Sequence, residues 1–85
     1  MNGRHYEIRF SQQALDTLAE LPGRYAAQIT RKIERLQFGL AGDVKALHNA
    51  EHGFRLRMGD YRVLFDVIGD QIMIQKVGNR REIYD

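Results

Sequence analysis

The chain has 85 residues, 44% of them hydrophobic, with 13 basic and 11 acidic side chains, no cysteine and a formal charge of +2. That length holds one core and not two, so residues 1–85 read as a single domain; the apolar content excludes general disorder, and the missing cysteines exclude a disulfide framework or thiolate chemistry. No apolar run nears the roughly 18 residues of a membrane span and no signal-like stretch follows residues 1–5, so a cytoplasmic protein without membrane contact is expected.

Residues 6–10, Tyr-Glu-Ile-Arg-Phe, alternate at period two and predict a first strand with Tyr6, Ile8 and Phe10 inward. Ser11 then caps a short helix whose apolar positions are Ala14, Leu15, Leu18 and Leu21, and Pro22-Gly23 ends it. A second helix is expected over 24–38, with Ala26, Ile29, Ile33 and Leu36 as its apolar stripe and Arg24, Arg31, Lys32 and Arg35 elsewhere on its surface. Gly39 supplies a left-handed C-terminal position, and so brief a connection predicts an antiparallel helical hairpin. The polar stretch 41–53 reads as a connection with a short strand near 44–47. Strands over 54–58, 61–68 and 71–77 follow, joined by Gly59-Asp60 and Gly69-Asp70, as a three-stranded antiparallel meander. The expected fold is α+β in two layers, β-α-α-β-β-β, with the helices on one face of the sheet.

The hairpin at 54–65 carries the chemistry. Glycine first in a two-residue loop predicts a type II′ turn, which places Met58 opposite Tyr61, Arg57 opposite Arg62 and Leu56 opposite Val63. Arg55, Arg57 and Arg62 then share one face, and Phe54, Leu56, Tyr61, Val63 and Phe65 share the other. Arginine directly opposite arginine is unfavourable in a ladder, so this face is expected to serve an anion and to stay open, away from the helices. Net charge alone predicts no nucleic-acid partner; a local cationic cradle can hold a single strand. His5, His48 and His52 lack zinc-like spacing, and neither a metal nor a cofactor is expected. His48 and His52, just before the arginine strand, read as solvated loop residues, with a proton shuttle as the alternative.

Three blocks, Phe54-Arg55-Leu56-Arg57, Gly59-Asp60-Tyr61-Arg62-Val63-Leu64-Phe65 and Val77-Gly78-Asn79-Arg80-Arg81-Glu82-Ile83-Tyr84, occur in order and at spacings that resemble the RelE/ParE superfamily of toxin–antitoxin toxins. The resemblance covers nearly the whole chain. It implies a toxin that enters the ribosomal A site, cleaves the mRNA there and is silenced by a cognate antitoxin, through which operator DNA is also reached. Matched residue by residue, it assigns catalytic roles to Arg57, Arg62, Arg80 and Tyr84 and phosphate binding to Arg55; Arg81 and Lys45 join Arg55 as phosphate-binding cations. The alternatives are a ParE-like inhibitor of DNA gyrase and a non-catalytic toxin acting as corepressor. Arg55 and Arg57 stand where well-known members carry lysine, and Asn79 where many carry histidine. Arginine does not give up its proton, so Arg55 and Arg57 are clamps and not bases.

Metal-independent RNA cleavage proceeds most simply by attack of the 2′-hydroxyl on the adjacent phosphorus, leaving a cyclic phosphate and a free 5′-hydroxyl. Arg62 and Arg80 are expected on the scissile phosphate, with Arg55 and Arg57 on the backbone. Each lost donor costs on the order of a hundred- to a thousandfold in rate. Tyr84 is expected to stack on a base or carry a proton, neighbouring arginines favouring its phenolate.

Overall fold

The computed structural model describes residues 5–83, in the order β1 (Glu7–Phe10), α1 (Gln12–Glu20), α2 (Gly23–Arg35), β2 (Val44–Ala46), β3 (Phe54–Met58), β4 (Tyr61–Ile68) and β5 (Gln71–Asn79). The five strands form one mixed sheet ordered β1-β5-β4-β3-β2. The meander is antiparallel as expected, while β1 joins it in parallel beside β5 and β2 adds an antiparallel edge beside β3.

Both tight turns form as the sequence dictates. Gly59 and Gly69 take φ of +56° and +60°, and the aspartates after them do not enter the left-handed region, which is the II′ pattern and not I′. The register follows: Met58 faces Tyr61, Arg57 faces Arg62 and Leu56 faces Val63.

Ser11 caps α1 by accepting a hydrogen bond from the Ala14 N–H at 3.0 Å, and its own hydroxyl donates to the Gln75 carbonyl at 2.8 Å. The helix start is thereby fixed to the sheet. Leu15, expected on the inner stripe, is instead 46% exposed, because nine residues of helix turn only Ala14 fully inward. Leu21 and Pro22 make the whole connection to α2. That helix stops at Arg35, three residues short of its expected end. The amides of Leu36, Gln37 and Phe38 bond three residues back, to Ile33, Glu34 and Arg35, which tightens the final turn; Phe38 then bridges to His5. Gly39 takes the left-handed conformation, φ +72°, and the Leu40 amide closes back on the Leu36 carbonyl at 2.9 Å.

Ile29, Ile33 and Leu36 of the helical layer meet Leu56, Val63, Phe65, Ile72 and Ile74 of the sheet in one core, all essentially inaccessible to water. Each such side chain contributes about 1.5–3 kcal/mol through burial. α1 lies against β5 and α2 approaches β3.

A bulge interrupts the β4–β5 ladder: Leu64 pairs with Lys76 but Phe65 pairs with Ile74, leaving Gln75 extra. Ile72, Ile74 and Val77 are consequently all buried despite an uneven spacing. Beyond the bulge β5 runs two residues further than the sequence suggested, placing Gly78 opposite Arg62 and Asn79 opposite Tyr61.

Candidate nucleic-acid interface

On the sheet face turned from the helices, residues that pair across the strands define rows. One row holds Arg57, Arg62 and Gly78; the next holds Lys45, Arg55, Leu64 and Lys76. Lys45 and Arg55, assigned to phosphate binding from the sequence, thus stand beside Arg57 and Arg62, assigned to catalysis, joined by a cation that period-two counting misses. Counting outward from Ile72 and Ile74 sends Lys76 into the core; the bulge at Gln75 turns it out.

Two of these cations do not project into solvent. Arg55 is 5% and Arg62 7% exposed, which corrects the expectation of an open arginine face. Arg62 folds back on its own hairpin, where Nη1 donates to the carbonyls of Gly59 at 2.8 Å and Tyr61 at 3.0 Å. Arg55 and Arg57 reach the two carboxylate oxygens of Asp43, at 3.7 and 3.5 Å. The repulsion between Arg57 and Arg62 is therefore relieved inside the protein, by Asp43 on one side and backbone carbonyls on the other, and facing arginines by themselves do not call for an anion. Arg57 remains accessible.

The segment after β5 is a built turn. Asn79 Oδ1 accepts from the Arg81 N–H at 2.8 Å, while Glu82 Oε1 reaches back to the Asn79 N–H at 3.0 Å, a reciprocal capping box. The Glu82 and Ile83 amides both close on the Asn79 carbonyl, and the Arg80 amide donates to the Asp60 carbonyl at 2.7 Å. Asn79, which departs from the histidine of many relatives, therefore has a structural task. The turn buries Ile83 over Gly78: a Cβ added at Gly78 would lie 2.9 Å from Ile83 Cδ1. Arg80 and Arg81 are left exposed, with Arg80 Nε 3.8 Å from Asp60 Oδ1. Arg62 and Arg80 are thus tied to the same two-residue loop, Arg62 through Gly59 and Arg80 through Asp60. Tyr84 lies outside the described residues.

Next to the row of Lys45 and Arg55 sits a polar cluster that the sequence only hinted at. His52 is no solvated loop residue: Nδ1 lies 2.9 Å from Asp66 Oδ2 and Nε2 lies 3.1 Å from Glu51 Oε1, with the imidazole 14% exposed. His48 is exposed, as expected. Asp66 also accepts from the Gly53 N–H at 2.8 Å and from Gln75 at 3.2 Å. Burial pushes the Asp66 carboxyl up, but the bonds from Gly53, His52 and Gln75 together outweigh it and hold it below its ordinary value. A carboxylate with a lowered folded pKa stabilises the protein above its unfolded value of about 3.9, and that contribution is lost as pH falls through the folded value. Asp66→Asn is accordingly expected to lose roughly 1–2 kcal/mol at pH 7 and to flatten the acid limb of stability below about pH 4. Thermal melts at pH 7 and pH 3 check this; equal losses at both would assign the effect to packing.

Comparison with known proteins agrees with the geometry. A family model described as the ParE toxin of the type II toxin–antitoxin system parDE matches residues 8–84. The chain is 30% identical to the toxin RelE3 of Methanocaldococcus jannaschii, over 93% of this chain and 96% of that protein. Among solved structures, the RelB-RelE antitoxin-toxin complex from Methanococcus jannaschii matches at 30% identity and TM-score 0.73, covering 91% of this chain and 95% of that one. The toxin–antitoxin complex RelBE2 from Mycobacterium tuberculosis matches at 27% identity and TM-score 0.78, covering 93% and 95%. The chain belongs to the RelE/ParE superfamily of type II toxin–antitoxin toxins.

Proposed function

We propose that this toxin is a ribosome-dependent mRNA endoribonuclease of the RelE kind, silenced by a cognate antitoxin that also carries it to operator DNA, and that it acts in the cytoplasm. One observation supports the reading most: Arg62 and Arg80 converge on the 59–60 loop, with Arg57 in the same row as Arg62. A buried guanidinium beside exposed ones gives a fixed positive charge next to groups that can close on a phosphate with two parallel bonds.

In the reaction the 2′-oxygen bonds to phosphorus as the P–O5′ bond breaks; the 2′-hydroxyl proton leaves to a base and the 5′-oxygen gains one. Arg62 stabilises the charge growing on the nonbridging oxygens, Arg80 and Arg57 grip them, Lys45 and Arg81 hold the flanking backbone, and the buried Arg55 adds its charge to that of Lys45 beside it. Tyr84 is the candidate for stacking on a base or carrying a proton. With so few acid–base side chains, alignment of the 2′-oxygen falls to the ribosome-held message, and alignment of this kind is among the largest contributions available to a catalyst.

The test is to add the protein to ribosomes programmed with a defined A-site codon and map mRNA 5′ ends by primer extension. A cut inside that codon is expected, reduced on the order of a hundredfold by Arg80→Ala, since Arg80 is exposed and its loss opens no cavity. An intact message would remove the proposal. A second reading has its own support, in that the matching family model is that of the ParE toxin. Under it, supercoiling by DNA gyrase would be inhibited while message stays whole.

A further inference from the structure

Behind the hairpin loop, on the helix side of the sheet, lies a groove of about 260 Å³ lined by Tyr25, Gln28, Met58, Asp60, Tyr61 and Asn79. None of the assignments above uses its aromatic wall. The rings of Tyr25 and Tyr61 have centroids 5.7 Å apart and are tilted by 42°, and the Arg24 guanidinium sits 4.8 Å from the centre of the Tyr25 ring. Gln28 is exposed at the rim and offers both a donor and an acceptor, whereas the exposed Asp60 carboxylate offers acceptors alone. The groove also has cations at both ends. It shares Asp60 and Asn79 with a cleft of about 280 Å³ lined also by Arg80 and Arg81. It shares Gln28 and Met58 with another of about 330 Å³ lined also by Arg31, Lys32 and Arg35.

We propose that this groove is a nucleobase subsite: it takes one unpaired base of the RNA strand held at Arg80 and Arg81, stacked on the tyrosine wall, while the strand continues onto the cations of α2. The inference rests on the RNA-cleaving reading and deepens it. An aromatic face with positive charge on either side is the arrangement that binds single strands, because every base has a face to stack and every linkage a phosphate to neutralise. The cations suit any polyanion, and the flat aromatic wall between them suits a base. Asp60 at the base edge adds selectivity. A carboxylate accepts from the exocyclic amino groups of adenine, cytosine and guanine, whereas uracil offers only its N3–H, set between two carbonyl oxygens that repel a carboxylate.

The probes are 2′-O-methyl RNA tetranucleotides of adenosine, cytidine or uridine, which cannot be cleaved, titrated against the full chain at low salt and followed by fluorescence anisotropy. The adenosine and cytidine tetramers are expected to bind about tenfold more tightly than the uridine one. Tyr25→Ala is expected to weaken them by about tenfold or more, Tyr25→Phe to bind as the parent does, and thermal melting to show both variants folded. The subsite is overturned if Tyr25→Ala binds all three tetramers like the parent, or if it loosens only the antitoxin complex. A parent protein that cuts message while Tyr25→Ala leaves tetramer binding intact removes the subsite alone. One that neither cuts message nor binds any tetramer removes the RNA reading and the subsite with it.

Discussion

Arg62→Ala is expected to slow mRNA cleavage on programmed ribosomes by on the order of a thousandfold, the upper end for loss of one transition-state donor. The reason is its burial. Arg62 is 7% exposed and pinned by the carbonyls of Gly59 and Tyr61, so its charge is already in place when the phosphate gains its own and little reorganisation accompanies the reaction. Arg80, at 62% side-chain exposure, must be gathered from solvent first, which places its loss lower on the scale. The same burial means that alanine removes a donor from two carbonyls, at a stability cost of about 1–3 kcal/mol. Melting temperature and antitoxin binding therefore accompany the rate measurement. Arg62→Lys keeps the charge without the fork and should recover only part of the rate. A folded Arg62→Ala protein that cuts within tenfold of the parent would falsify its role at the phosphate.

Gly78→Val carries the second large effect. Even a single added Cβ would sit 2.9 Å from Ile83 Cδ1 and 3.2 Å from its Cγ1, and with Ile83 buried over the strand the two further methyls of valine are expected to push that side chain, and the turn with it, away from β5. Overpacking of this kind costs about 1–3 kcal/mol, which a compact domain tolerates. Its effect on activity is expected to be greater than its effect on folding, because the displaced turn carries Arg80 and Arg81, and a misplacement near 1 Å costs on the order of a hundredfold. Single-turnover cleavage beside a thermal melt distinguishes the two: activity lost with only a few degrees of melting temperature supports a positioning role. Activity retained would mean that the turn is free to shift without consequence.

The hairpin was legible in the sequence because its information is local. Glycine before aspartate between alternating runs sets the turn, the turn sets the register, and the register sets which arginines share a face. The helices were legible through their apolar period, although the tightened last turn of α2 leads into the Phe38 bridge to His5, a contact between distant residues that the period does not show. What the arginines do with their charge was not legible. Asp43, ten or more residues earlier in a polar connection, is brought to Arg55 and Arg57 only when β2 pairs with β3. The role of Asn79 escaped for a different reason: its capping box with Glu82 is a local signal, but it falls on the last residue of a strand, where a cap is not looked for. His52 and Asp66 lie 14 residues apart, and only the β3–β4 pairing closes that distance.

The extra residue at Gln75 makes the length of β5 as consequential as its composition. Upstream, the strand's inward and outward positions follow one parity; downstream they follow the other, so Val77 fills the core while Lys76 and Gly78 belong to the charged face. Substitutions along this strand act one side chain at a time. Loss of Gln75 would leave a plain ladder, Leu64 opposite Lys76 and Phe65 opposite Ile74, with both faces kept, whereas a residue gained beyond Lys76 would exchange the faces for everything after it and carry the turn that holds Arg80 to the wrong side of the sheet. The strand can therefore shorten at its bulge, but it cannot lengthen past Lys76 without moving the turn that carries Arg80 and Arg81.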